Sequence, residues 1–559
     1  MIGVQEVLER AWWDRRRIVL AALAACAIAA LAFVVRFNTL GGALGGFDND
    51  HFIYLVRTDM LLDGAQPLRD FVDAELRGAW PALTYEVSAL AQQLGGHTLL
   101  PEAYLTVGLL ALADALVFLL ALDLSKRWPV ALLAAALTIA TFPKLYNYYK
   151  VLGLVFGAWS LRATVLNPSI VRLGLAAVVS AVAVLFRHDL GIYVAGAIVA
   201  ALVARDAARW TLAARHVAIY GGFTALCLLP SAVWVQAYEG IPQYLRDASA
   251  TVDVTRAREN LTLQSFELSS LFGHDNMELV AYYAFWAMPL IALAVIAARR
   301  VARGRAPNDV AFAIGLLVMT VLANMAFLRA NLAERFGDAV APVVLLAAWV
   351  TGSASLWTSA PARRMAVMVP VALLLAATGA SYVFSDLGRE LDTSGLSDSW
   401  AKTARRYRTV QDELGHAPPA VWTDADARGT LRAARYVAEC TRPGDRLLTI
   451  GPVHEIPVYA RRRFAAGQAM FKLSLYTSEA FQRRALARLQ TESVPVAIAD
   501  AGEFKEFEEL YPLVARYLAE RYRDAGSIAV DGTPRLRVFV AVDRTPTRVD
   551  PGLGLPCFP

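Results

Sequence analysis

The chain has 559 residues, 57% of them hydrophobic and 18% charged, whereas soluble domains carry about 25% charged residues. The deficit falls within residues 18–384, where apolar runs recur, while 385–559 has ordinary charge density; a string of soluble domains is thereby excluded. The net charge of +5 resides in short arginine clusters between apolar runs, a membrane-topology pattern and not a nucleic-acid footprint.

Residues 4–17 (VQEVLERAWWDRRR) show no short apolar region followed by a cleavage site, so no cleavable signal is read there. Trp12, Trp13 and Arg15 to Arg17 suit a helix entering the membrane interface. A spanning helix needs about 20 mostly apolar residues. Spans are predicted near 18–36, 98–122, 129–143, 150–166, 169–186, 190–204, 216–236, 279–298, 310–328, 338–357 and 364–384, roughly eleven on this length criterion, the third, fourth and sixth being short. With the N-terminus cytoplasmic, the basic connections 123–128, 205–215 and 299–309 lie inside, as basic loops should. Connections 37–97, 144–149, 187–189, 237–278 and 329–337, and everything after 384, then lie outside. The expected place is the inner (plasma) membrane.

Within the long outer loop, 50–62 and 81–94 have helical apolar spacing but are too short and polar to span. They read as helices lying along the membrane surface. A polar linker follows at 385–424. A helix over 425–440, strands over 446–451 and 494–500, a helix over 507–522 and a strand over 536–542 predict a small α/β domain with a partly parallel sheet. The expected fold is therefore a polytopic α-helical membrane protein, with a transmembrane domain over 1–384 and an extracytoplasmic α/β domain over 425–559. Cys440 and Cys557 could pair if that domain is extracytoplasmic. No GxGxxG follows its first strand.

Ionisable residues at membrane depth need a reason, and the topology gathers the unusual ones on one face. They are Asp48, Asp50, His51, Asp70 and Asp73 in the long loop; Lys144, Tyr146, Tyr148, Tyr149 and Lys150; Arg187, His188 and Asp189; and Arg329, Glu334 and Arg335. A carboxylate there can serve as general base towards an acceptor hydroxyl. Cations at the same depth can hold a phosphate as leaving group, and a hydrophobic bundle can accommodate a polyprenyl tail. Outside the membrane there is no nucleotide-sugar pool, so a lipid-phosphate sugar is the natural donor. The structural reading of the same residues is plainer. Asp48 and Asp50 would cap a helix, Asp59 and Asp63 would face solvent, and Asp70 and Asp73 would be turn residues. Arg187 would snorkel to headgroups, Lys144 and Lys150 would belong to an aromatic belt, and Arg329 and Arg335 would pair with Glu334 and Asp338 on a helix face. Arg461 to Arg463 would be a solvated basic face.

The stretch FDNDHFIYLVRTDMLLDGAQPLRDF (47–71) resembles the first outer loop of the GT-C glycosyltransferases, especially the protein O-mannosyltransferase and aminoarabinose-transferase relatives. Those read Asp-Glu, two residues, Tyr, a helix, then Gly, Pro and a Tyr-Arg-Asp-like turn. Asp50 and Tyr54 match the first part; Gly64, Pro67, Arg69 and Asp70 match the second. His51 stands where the usual Glu would be, which leaves Asp48 and Asp50 both open as the base. Weaker resemblance covers 187–193 and 329–342. The resemblance implies an inverting transfer from a polyprenyl-phosphate sugar to an envelope glycan, lipid or protein. Lys144, Lys150, Arg187, Arg329 and Arg335 would supply the phosphate pocket, and His51, Tyr54, Arg69, Asp70, His188 and Asp189 would contact substrate. Relatives differ in whether they need a divalent metal. Asp48, Asp50 and His51 could bind one, though no ligand spacing here demands it.

Two other classes fit the composition. A transporter or flippase would also place charges at membrane depth, but it predicts inverted repeats, and none is evident in the sequence. A non-catalytic envelope assembly protein would tolerate replacement of Asp50.

Overall fold

The computed structural model describes residues 14–40, 47, 49–72, 80–246, 249, 274–303, 308–328, 333–354, 388–417, 429–471, 476–530 and 532–559. The chain forms two compact units. The first comprises Met1–Thr39, Thr106–Leu229 and Asn260–Arg406; the second comprises Leu40–Leu105, Pro230–Glu259 and Tyr407–Pro559.

Apolar runs of the predicted length become helices because only a helix satisfies every backbone polar group within one segment. Among the described residues, seven are long and apolar enough to cross a membrane: Arg15–Thr39, Leu99–Ser125, His188–Arg205, Trp210–Tyr238, Glu278–Arg299, Asn308–Leu328 and Arg335–Ser353. The predicted spans at 129–143 and 169–186 are the shorter apolar helices Trp128–Ala140 and Ile170–Phe186. The one at 150–166 is the helix Tyr148–Leu166, which carries the buried charges Lys150 and Arg162. The predicted span 364–384, like Trp12 and Trp13, lies outside the described residues. The described residues therefore confirm seven spans of full length and leave the expected count of eleven unconfirmed.

Small residues let the helices of the first unit approach closely, the usual device where lipid supplies no hydrophobic drive between helices. Gly153 and Gly157 sit one turn apart on Tyr148–Leu166. A Cβ at either would lie 2.7 Å from Leu190 or Val194, respectively, on the helix His188–Arg205. Gly315 is tighter still, because its Cβ would lie 2.6 Å from the Ala197 carbonyl oxygen and 2.8 Å from Leu161. Gly315→Val should thus destabilise the protein by roughly 1–3 kcal/mol through overpacking, read as a lowered midpoint of thermal unfolding in detergent. An unchanged midpoint would show that these helices can part without cost.

The first unit also buries ion pairs between residues distant in sequence or on different helices. Arg36 pairs with Asp114 and donates to the Thr138 carbonyl at 3.1 Å. Arg299 pairs with Asp309 and donates to Ser353 Oγ at 3.2 Å. A lone charge in such surroundings costs several kcal/mol, so each needs its partner.

The second unit is built on a five-stranded sheet of order β2-β1-β3-β5-β4. Its strands are β1 (Arg446–Ile450), β2 (Arg463–Phe464), β3 (Val496–Asp500), β4 (Tyr522–Val530) and β5 (Thr533–Ala541). β2, β1 and β3 run parallel, and β5 and β4 add on antiparallel, so the sheet is partly parallel as expected. Every residue of β3 is buried, as a central strand requires. Two expectations are corrected. The helix expected over 507–522 is two helices, Phe504–Leu510 and Pro512–Arg521, because Pro512 cannot continue the first and starts the second. Tyr522–Val530 is then a strand, paired antiparallel with β5. Cys440, at the end of the helix Gly429–Cys440, is disulfide-bonded to Cys557, 117 positions away in sequence.

Candidate active site

The motif 47–71 lies in the second unit, apart from Asp48, which is outside the described residues with Asp73. The helix Asn49–Leu62 opens it, with Asp50 exposed in its first turn, where a carboxylate is favoured by the helix dipole. The next residues, 51–58, are all buried. The segment expected to lie along the membrane surface thus packs residues 51–58 into the second unit. His51 is 1% exposed and its Nε2 lies 2.9 Å from Glu102 Oε1. Ser88 Oγ donates to the other Glu102 oxygen, and the Phe47 ring lies 4.7 Å from that of His51. Arg57 is buried over the rings of Tyr54 and Tyr85, at 5.9 and 5.8 Å. Tyr54 itself is buried. Asp50 therefore projects from a turn whose neighbour is anchored, and a reacting group needs such preorganisation.

The end of that helix follows from its sequence. Gly64 adopts φ +85°, its N–H donates to the Leu61 carbonyl at 2.9 Å, and Ala65 N–H donates to Met60 at 3.0 Å. This is the glycine-dependent Schellman termination. The following turn folds on Asp70, whose carboxylate accepts from Gln66 N–H at 2.7 Å and from Arg69. The Arg69 guanidinium holds the Asp70 carboxyl below its ordinary range. The turn is pinned by Trp234 Nε1 donating to the Pro67 carbonyl (3.1 Å), Val72 N–H to Gly467 (3.0 Å), and Arg488 to the Arg69 carbonyl (3.1 Å).

Asp59 and Asp63 do not simply face solvent. Asp59 is mostly buried and 2.8 Å from His97 Nε2, and Asp63 pairs with Arg463. Arg461 donates to the His97 carbonyl at 3.0 Å. Arg462 is buried and is far from a solvated face. It donates to the carbonyls of Ala438 and Thr441 at 2.9 and 2.8 Å and so caps the end of the helix Gly429–Cys440. Its cap role is invisible in a run of three arginines.

The Asp59–His97 pair has a pH signature. The carboxylate of Asp59 raises the His97 pKa above its usual value, while burial pushes the Asp59 carboxyl up. A raised histidine contributes fully below its unfolded value of about 6.5 and loses that contribution as pH rises through its folded value. The thermal midpoint should fall across the neutral range, and His97→Gln should flatten this slope. A slope that survives the substitution would assign it to another group.

In the first unit two of the predicted phosphate-binding residues, Lys150 and Arg335, meet on one carboxylate. Lys150 Nζ donates to Asp338 Oδ2 at 2.6 Å, and Arg335 approaches the same oxygen at 4.0 Å; the helix-face pairing expected of Arg335 is thus present. Tyr149, next to Lys150, stacks on Phe186 with centroids 5.7 Å apart. Phe186 directly precedes Arg187, which pairs with Asp189. His188 is half-buried at the start of His188–Arg205. Lys144 lies 5.8 Å from the Tyr146 ring centre. Arg329 and the Glu334 side chain lie outside the described residues. Two cations gathered on one buried carboxylate can exchange it for a phosphate oxygen. Among the described residues, no group of three or more His, Cys, Asp or Glu could hold a metal ion. Sequence reasoning missed Glu102, Asp338 as the common partner, and Arg57. A signal for Glu102 was its place at the head of an apolar run.

No family model matches the chain, and no curated protein does. Two solved structures are similar in chain course: crystal structures of ArnT from Cupriavidus metallidurans, one bound to undecaprenyl phosphate and one in the apo state. Each is 15% identical with a TM-score of 0.48 and covers 93% of this chain; the chain spans 98% of the first and 97% of the second.

Proposed function

We propose that this protein is an integral inner-membrane glycosyltransferase that moves a sugar from a polyprenyl-phosphate donor to an extracytoplasmic envelope acceptor, with inversion. The observation that carries the reading is the exposed Asp50 carboxylate on the first turn of a helix anchored through residues 51–58, within a motif that resembles the catalytic loop of GT-C enzymes. The Lys150–Asp338–Arg335 cluster supplies the second requirement, cations for a leaving phosphate.

In the proposed reaction, Asp50 accepts the proton of the acceptor hydroxyl. The acceptor oxygen attacks the anomeric carbon, and the bond from that carbon to the phosphate oxygen breaks. The electron pair leaves with the polyprenyl phosphate, whose charge Lys150 and Arg335 stabilise. His51, held on Glu102, fixes the helix turn from which Asp50 acts. Arg187, Lys144, His188 and Asp189 would complete the donor side, and Arg69 and Asp70 would shape the turn facing the acceptor. The Cys440–Cys557 disulfide supports an extracytoplasmic C-terminal domain, since disulfides persist in oxidising compartments.

A single displacement fixes the stereochemistry. The product's anomeric configuration, read by NMR, should be opposite to the donor's. Retention would overturn the single in-line displacement with Asp50 as base.

A further inference from the structure

The helices Leu99–Ser125, Tyr148–Leu166 and Ile170–Phe186, all contributing to the first unit, line an open recess of about 380 Å³, large enough for a small-molecule group. Leu119, Trp159 and Leu166 form its apolar wall; Asp123, Arg162 and Arg172 form its polar one. The recess is remote from the Lys150 cluster. Arg162 is twelve residues along the same helix from Lys150, about 18 Å at 1.5 Å per residue.

Its lining carries two arginines and one carboxylate. Asp123 accepts Lys126 Nζ on one oxygen at 2.7 Å and Arg162 Nε on the other at 3.1 Å. Arg162 is 8% exposed. Arg172 donates to the Ala163 carbonyl at 3.0 Å, and among the described residues no carboxylate pairs with it. Both oxygens of the one carboxylate in the lining are thus used by Lys126 and Arg162, and Arg172 adds a further cation to the same wall. The helix Ile170–Phe186 also begins here, capped by Ser169, and its amide end adds positive potential. An anion with several acceptor oxygens suits this arrangement.

The surroundings say what carries that anion. Leu166, Ile170 and Val171, at the mouth-side ends of the same helices, are 38%, 61% and 67% exposed. In a membrane-embedded bundle such side chains meet acyl chains. The connection 123–128 is one of the basic loops that the sequence assigns to the cytoplasmic side, where basic recesses between helices take acidic head groups. We propose that this recess binds the phosphate head group of an anionic glycerophospholipid, with its acyl chains along the exposed apolar residues. The site is separate from the one proposed for the sugar donor, and Arg172 and Arg162 hold the phosphate.

Native mass spectrometry of the full-length protein, titrated with phosphatidylglycerol or phosphatidylcholine, tests this. Phosphatidylglycerol should bind about five- to tenfold more tightly, and Arg172→Gln should lower its occupancy by a similar factor. Arg172→Lys should restore part of the binding, and exposed Arg483→Gln should change nothing. Thermal unfolding of each variant separates lost binding from lost fold. Equal binding of both lipids, or full phosphatidylglycerol binding by folded Arg172→Gln, overturns the proposal. Displacement of the lipid by millimolar inorganic phosphate, with equal thermal protection, would also overturn it in favour of a free anion.

Discussion

Asp50→Asn should retain the fold and lose about 10²- to 10⁴-fold in kcat, the usual contribution of a positioned general base. In barrier terms this is about 3–5 kcal/mol. Asn is nearly isosteric and is itself well tolerated at a helix start. The side chain is exposed while 51–58 hold the helix, so the thermal midpoint should stay within the small range typical of surface substitutions. KM for the donor should change little, since the carboxylate acts on the acceptor proton. Initial rates with a saturating donor, taken beside the midpoint, check both statements. An unchanged kcat would remove Asp50 from the base role and leave Asp48 as the candidate.

Lys150→Met should destabilise the protein by roughly 3–5 kcal/mol, because it leaves the carboxylate of Asp338 buried without its near partner. Arg335, 4.0 Å from the same oxygen, places the expected loss at the lower end of that range. Lys150→Met combined with Asp338→Leu should recover most of this stability, as replacing a buried pair by apolar groups often costs little. The two variants separate structure from function. The double variant should fold and still bind the donor at least about tenfold more weakly, since one charge-assisted contact to phosphate is gone. Equal stability of the single and double variants would show that the buried Asp338 carboxylate is not what destabilises Lys150→Met. Full donor affinity in the double variant would remove Lys150 from the phosphate role.

The sequence was most legible where structure follows from local period and local geometry. Ten of the expected spans fall on helices because length and apolarity are properties of one segment, and the span 364–384 lies outside the described residues. Gly64, Pro67 and Asp70 were recognisable as a turn because Gly at positive φ and an Asp accepting a backbone N–H are short-range devices. Partnerships over distance were not legible. His51 finds Glu102 only because the helix from Asn49 turns that side inward, and Arg36 meets Asp114 78 residues away. Asp114 carried a usable signal, a lone carboxylate in the run LLALADALVFLL, since such a residue demands a partner. Arg462 carried none. Its neighbours Arg461 and Arg463 have the same side chain and different fates, decided by the left-handed turn at Arg461 (φ +51°) that directs the next residue inward. The helix break at Tyr511–Pro512 was readable from the proline alone and was overridden by the amphipathic period on either side.

The central claim is that a lipid-linked sugar is cleaved and transferred. Purified protein in nanodiscs, incubated with polyprenyl-phosphate sugars and candidate envelope acceptors, can be followed by mass spectrometry for donor, free polyprenyl phosphate and glycosylated acceptor together. The account predicts that free polyprenyl phosphate and glycosylated acceptor appear in equal amounts, at a rate that falls at least a hundredfold in Asp50→Asn, about the smallest loss expected for a general base. A donor that binds and crosses to the other leaflet without losing its sugar, equally in wild type and Asp50→Asn, would contradict it and make the protein a transporter.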